Sequence, residues 1–360
     1  MRPRIYLDWN ASAPLRPEAR EAMISALDTV GNPSSVHAEG RAEKAIVERA
    51  RSKVAALVGC KPSEVVFTSG ATEAARVLGN RSAGQDVFVD ETAHDAVWAY
   101  VQMSAWSEHP NGPGHTLAMG LANSETGVIT EPPAKEDGQY PFGQARADWL
   151  FLDVTQAVGR IPWSFHWSGA DFACLSAHKI GGPKGVGALI LRDGFDIHTV
   201  QSGGGQELGR RSGTENVAGI AGFGAAAAAA ARDLDAGVWS DVEKLRNILE
   251  NALASEAKDT IFIGKEAPRL PNTSLMVTPG WKGETQVMQM DLAGFAVSSG
   301  SACSSGKVKE SRVLKAMGLD DRAAASALRV SIGPTTTQDK VMAFAEAWLT
   351  QEQKFRQRAA

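Results

Sequence analysis

Between residues 64 and 191, short apolar, β-rich runs alternate with stretches that favour turn or helix. Glu64-Val65-Val66-Phe67-Thr68 passes into the turn Ser69-Gly70-Ala71-Thr72 and then into helix-forming Glu73-Ala74-Ala75-Arg76. Asp86-Val87-Phe88-Val89, residues 117–123, Trp149-Leu150-Phe151-Leu152, and residues 172–176 and 186–191 are further strand candidates. Such alternation predicts an α/β chain with a mainly parallel sheet flanked by helices. The strand, glycine turn and helix of 64–76 read as one half of a βαβ unit. Residues 17–58 read as helix, broken by the turn Gly31-Asn32-Pro33-Ser34-Ser35. The alanine run near Gly224 reads as a packed helix, because alanine is the best helix former. Past Trp239 the order changes to helix, short strands near Ile261 and Ser274, a glycine- and serine-rich loop, and helix again. A chain of 360 residues exceeds what one small core holds. The expected division is a large domain over 13–240 and a smaller α+β domain built from 1–12 and 241–360, which carries the loop around Cys303.

A net charge of -4, with no basic run interleaved with aromatics, argues against nucleic acid as a partner. No run of about 18 apolar residues predicts a membrane span. The start, MRPRIYLDWNASAPL, lacks the apolar core of an export signal, so the expected compartment is the cytoplasm. The three cysteines, Cys60, Cys174 and Cys303, are never at CxxC spacing, which leaves no metal or dithiol motif. Cys60 and Cys174 read as small buried hydrophobes.

In open α/β sheets ligands gather at the carboxyl ends of the strands. The polar residues there are Ser69 to Thr72, His94, Asn123-Ser124-Glu125, Asp153 with Gln156, and Ser176-Ala177-His178-Lys179. They offer an anion cradle, an aromatic ring, an acid and an amine. A lysine just past a strand, beside His178 and before Gly181-Gly182, is placed for partial desolvation, which makes an amine nucleophilic toward an aldehyde; as a bland alternative it is a surface lysine. Asp153 ends an apolar run as a helix cap or as a functional charge, and one cofactor suits it and Lys179 together: pyridoxal phosphate needs an anion against its pyridinium nitrogen to act as an electron sink. Backbone N–H groups at Gly70-Ala71-Thr72 can take its phosphate, although the same residues make ordinary helix caps. Arg210 to Thr214 is a second anion contact or simply a basic loop.

Six motifs occur in order: Thr68-Ser69-Gly70-Ala71-Thr72-Glu73, Asp153-Val154-Thr155-Gln156-Ala157, Ser176-Ala177-His178-Lys179, Gly203-Gly204-Gly205-Gln206-Glu207, Arg211-Ser212-Gly213-Thr214 and Ser299-Gly300-Ser301-Ala302-Cys303. With Ile5-Tyr6-Leu7-Asp8 and Gly31 to Ser35, the set resembles the cysteine desulfurases of the class V aminotransferase group, which are fold-type I pyridoxal-phosphate enzymes. The resemblance implies that Lys179 carries the cofactor on its amine, Asp153 pairs with the pyridinium, Gln156 contacts the ring hydroxyl and His94 stacks on the ring. It implies that Ala71, Thr72, Ser176 and His178 bind the phosphate, and that Thr214 reaches the phosphate of a neighbouring subunit in a homodimer. Arg329, with Asn32 beside it, would clamp the carboxylate of L-cysteine. Cys303 would accept the sulfur as a persulfide, leaving alanine, and pass it to an acceptor or scaffold protein.

The chain departs from that family at two places. The family has two asparagines before Glu-x-Gly, where this chain has Asn123-Ser124, and the segment between His94 and Asn123 is short. Two other readings compete: a selenocysteine lyase or other class V enzyme that does not use Cys303, and a catalytically silent binding partner.

Overall fold

The computed structural model describes residues 4–79, 85–101, 114–195, 197, 201–300 and 311–359. Two compact units emerge: Pro14–Leu121 with Glu131–Leu234, and Met1–Ala13 with Ala122–Thr130 and Asp235–Ala360.

The larger unit is built on six strands in the order Val65–Thr68, Gly187–Leu191, Phe172–Ser176, Trp149–Asp153, Thr116–Gly120, Val87–Val89. The last four pair in parallel. Gly187–Leu191 runs antiparallel to both of its neighbours. The sheet is thus mainly parallel, as the alternation predicts. The strand, turn and helix read over 64–76 form, as Val65–Thr68 and Ala71–Ala74. Val65–Thr68 pairs only with the reversed strand Gly187–Leu191, and the next strand in sequence, Val87–Val89, sits at the opposite edge. The central strands are buried along nearly their whole length. That explains why they read as continuous apolar runs rather than alternating ones. The reversed strand opens on glycine for a steric reason. A Cβ on Gly187 would lie 2.6 Å from the Cα of Gly70 and 2.6 Å from the carbonyl oxygen of Leu175.

Helices Ala38–Val58 and Val217–Asp235 belong to this unit. They approach closely because a Cβ on Gly224 would meet the Cα of Ala50 at 2.6 Å. Val217–Asp235 is also long and apolar enough to cross a membrane by length and composition alone, which the expectation of no spanning stretch missed. Its buried face, Ile220, Phe223, Ala226, Ala227 and Ala230, is nevertheless committed to the protein interior. At the edge of the sheet a buried pair joins distant sequence. Arg51 grips Glu207 with both terminal nitrogens, at 2.7 and 2.8 Å, and Glu207 also accepts the Phe67 N–H at 2.9 Å.

The smaller unit is α+β. Its sheet runs Ile261–Phe262, Thr273–Val277, Ala327–Ser331, Ser298–Ser299, all antiparallel. Helices Val238–Glu256, Gly283–Leu292 and Gln338–Ala359 complete it. The N-terminal strand Ile5–Tyr6 pairs in parallel with Phe295–Ala296. Asp8 then bridges to Ser331, so the N-terminal residues run along the end of the central strand.

Candidate active site

Asp153 and Ser176 end adjacent sheet strands, and both are buried. The Ser176 hydroxyl oxygen accepts the Ala71 N–H at 2.8 Å, joining the end of one strand to the turn after another. This bond revises the expectation for Ala71, whose N–H is spent on Ser176 rather than left for an anion. The hydroxyl hydrogen of Ser176 remains to be donated, and Thr72 follows on the exposed side of the turn. Glu73 fastens the turn from behind, accepting the Ser69 N–H at 2.7 Å and Arg211 Nε at 3.0 Å. Burial pushes the Glu73 carboxyl up, but Arg211 and Ser69 outweigh it and hold it below its usual range. Arg211 thereby ties the 211–214 loop to the cradle of its own chain, while Thr214 lies exposed.

Asp153 is 9 % exposed, and its Oδ1 accepts the Thr155 N–H at 2.9 Å. Among the described residues no Lys, Arg or His forms an ion pair with it. A carboxylate so enclosed is costly unless a cation meets it. A protonated pyridine nitrogen is such a cation, and on this ground the pocket residues fit pyridoxal phosphate. Gln156 is 5 % exposed and accepts Arg160 Nη1 at 2.7 Å through its side-chain oxygen. Arg160, also buried, donates to the Lys179 carbonyl at 3.2 Å. Sequence reasoning passed over Arg160; its one signal is its place four residues after Gln156, a single helical turn away.

His178 and Lys179 are half-buried in the short turn Ala177–Lys179. Burial first, then the charges of Lys179, Lys184 and Arg160, push the His178 imidazole down to about 4. His178 is therefore neutral at physiological pH and can donate a hydrogen bond without adding charge. His94 caps the short helix Asp95–Trp98, its Nδ1 accepting the Ala96 N–H at 3.1 Å, so the neutral ring carries its proton on Nε2.

Arg329 belongs to the smaller unit, on the strand Ala327–Ser331, and is 1 % exposed. Nη1 donates to the Ser124 carbonyl at 3.0 Å and Nη2 to Asp8 Oδ1 at 2.8 Å, while Nε has no partner among the described residues. The Ser124 carbonyl also accepts Asn10 Nδ2 at 3.1 Å. Asn32 belongs to the larger unit, exposed, with its side-chain oxygen accepting the Ser34 N–H at 2.9 Å. Cys303 lies outside the described residues. Burial pushes the Cys60 thiol up to about 12, aided by Glu64 and Asp193. Cys174 is fully buried, and burial and the Asp153 carboxylate raise its thiol strongly. Both stay protonated at neutral pH, which makes them poor nucleophiles.

The family model of class-V aminotransferases matches residues 5–110 and 114–344. A cysteine desulfurase of Frankia sp. (strain EuIK1) is 39 % identical over 383 residues, covering 95 % of this chain and 90 % of the relative. One from Cereibacter sphaeroides is 36 % identical over 368 residues, covering 94 % and 93 %. Among solved structures, a NifS-like protein from Rickettsia africae ESF-5 matches with a TM-score of 0.82 and 30 % identity, covering 96 % of this chain and 98 % of the other.

Proposed function

This chain belongs to the class-V aminotransferase family, as a pyridoxal-phosphate-dependent cysteine desulfurase, and on that premise we propose how its residues share the conversion of L-cysteine to L-alanine. Bound pyridoxal phosphate supplies an electron sink that labilises bonds at the substrate's α and β carbons. The Lys179 amine would hold the cofactor, and as a free amine it would move the substrate's α-proton. Asp153 keeps the pyridine nitrogen protonated. Gln156, its oxygen held by Arg160, turns its amide N–H toward the ring oxygen. His94 lies on the ring face, and Thr72, Ser176 and neutral His178 hold the phosphate. Arg329 takes the substrate carboxylate, since a planar fork suits it.

Cys303, as thiolate, attacks the substrate sulfur. An S–S bond forms, the carbon–sulfur bond breaks, and the electron pair left on carbon takes a proton, so alanine leaves. The persulfide then serves a sulfur-accepting partner protein in iron–sulfur cluster or other sulfur-compound biosynthesis. Thr214 completes the phosphate site of a second copy, a reading supported by its exposure and by the 81 % exposure of nearby Leu208. The cytoplasmic reading rests on the sparse, unpaired cysteines.

The observation that carries the site assignment is Asp153, a buried carboxylate without a cationic partner among the described residues. The test is to treat the purified holoprotein with cysteine, measure alanine, and map added sulfur by mass spectrometry. One extra sulfur on Cys303 is expected, and Cys303→Ser should release no alanine. Sulfur found on Cys60 or Cys174 instead would overturn the assignment.

A further inference from the structure

Arg329 does not wait for a carboxylate unpaired. Its guanidinium is enclosed and already faces Asp8, and the Asp8 side chain is itself only 15 % exposed. Asp8 is held on three sides. Its backbone bridges to Ser331. Its Oδ2 accepts the Ser298 hydroxyl at 2.7 Å. Ser298 in turn sits directly across the sheet from Arg329. Two N–H groups of the guanidinium go to Asp8 and to the Ser124 carbonyl, and Nε is unpartnered among the described residues. Arg329 therefore keeps donors to offer, but its charge is already matched.

We propose that Asp8 is a specificity-setting positioning residue that holds the Arg329 guanidinium and competes with the α-carboxylate of the ligand, keeping the affinity for small amino acids low. The proposal rests on the reading of Arg329 as the carboxylate clamp. An incoming carboxylate must share one guanidinium with a second anion. Like charges repel, most strongly where water is excluded. The substrate and the product alanine both carry that carboxylate, so the repulsion weakens the binding of each and lets alanine leave.

Asp8→Asn removes the charge, keeps an oxygen for Nη2 and reverses the bond to Ser298, whose hydroxyl oxygen then accepts the amide N–H. Measured in low-chloride buffer, it should lower KM for cysteine and the inhibition constant of alanine together, by about three- to tenfold, equivalent to about 0.7–1.4 kcal/mol. Binding of each to the holoprotein, read from the visible spectrum, should tighten in step. Cysteamine, which has no carboxylate, should bind as before. Ser298→Ala should act in the opposite direction. Without the Ser298 hydroxyl the Asp8 charge is less shared and bears harder on Arg329, so KM rises. A purely structural role would raise KM in both variants. KM unchanged or raised in Asp8→Asn, an equal gain for cysteamine, or KM unchanged or lowered in Ser298→Ala would each overturn the proposal; if Asp8→Asn does not fold, cysteamine binding to Ser298→Ala decides, unchanged under the proposal and weakened along with cysteine under a purely structural role. If Arg329→Ala leaves KM where it was, the clamp reading itself fails and the proposal falls with it. If Arg329→Ala raises KM and Asp8→Asn does not lower it, only the proposal falls.

Discussion

In the larger unit the residues expected to hold the cofactor stand at or just past strand ends, with bonding capacity to spare. Asp153 has no cationic partner among the described residues, and Ser176 keeps its hydroxyl hydrogen. In the smaller unit Arg329 lies within a strand, 1 % exposed, with Asp8, Ser124 and Ser298 gathered around it from far along the chain. The first arrangement is poised for an external cation and anion. The second is nearly neutral before anything binds. A cofactor meant to stay profits from unspent hydrogen bonds and an unmatched charge, whereas a substrate meant to come and go profits from a clamp whose charge is partly cancelled.

The contrast can be broken most sharply at Lys179. Lys179→Ala should lose turnover altogether while the apoprotein still takes up pyridoxal phosphate, because the phosphate and pyridine contacts come from other residues. Alanine formation and cofactor content after gel filtration measure the two effects. Normal turnover would remove Lys179 from the chemistry, and loss of all cofactor uptake would mean that the cradle does not stand without it.

Asn10→Ala probes the other region. Its amide donates to the Ser124 carbonyl and to Thr273 Oγ1 and accepts from Asn272 Nδ2, all in the smaller unit's interior. Removing a buried partner of this kind costs about 1–3 kcal/mol. The thermal midpoint should fall and KM for cysteine should rise, with cofactor content unchanged. A loss of cofactor without a loss of stability would blur the division drawn between the two regions.

The smallest effect is expected at Ser124, where the family carries asparagine. The backbone carbonyl of Ser124, not its side chain, receives Arg329 and Asn10. Ser124→Asn leaves that carbonyl in place, so stability and KM should stay within about 0.5 kcal/mol of the parent, as for most substitutions away from buried contacts. Thermal melts and a KM measurement test this. A larger change would show that the pocket is shaped around the serine side chain.

The strand ends expected to hold the cofactor were legible in the sequence because their signals are local. An apolar run that ends in Asp153 or in Ser176-Ala177-His178-Lys179 announces a strand and the polar group at its tip, and Gly70 announces the turn. Arg160 was not legible. Its bond to Gln156 spans one turn, but its contact with the Lys179 carbonyl depends on two chain segments meeting in space. The pairing of Asp8 with Arg329 across 321 positions was hidden for the same reason.

The sequence by itself determined which segments are strands and helices, where turns interrupt them, and which polar residues sit at strand ends, since periodicity and turn chemistry act over a few residues. Only the tertiary structure decided the order of the strands, the reversal of Gly187–Leu191, the membership of Ala122–Thr130 in the smaller unit, and the burial of Arg329 against Asp8. Each of these depends on contacts between residues far apart in the chain. Their free energy comes from surfaces that meet only once the core has formed, and no local pattern records which surfaces those will be.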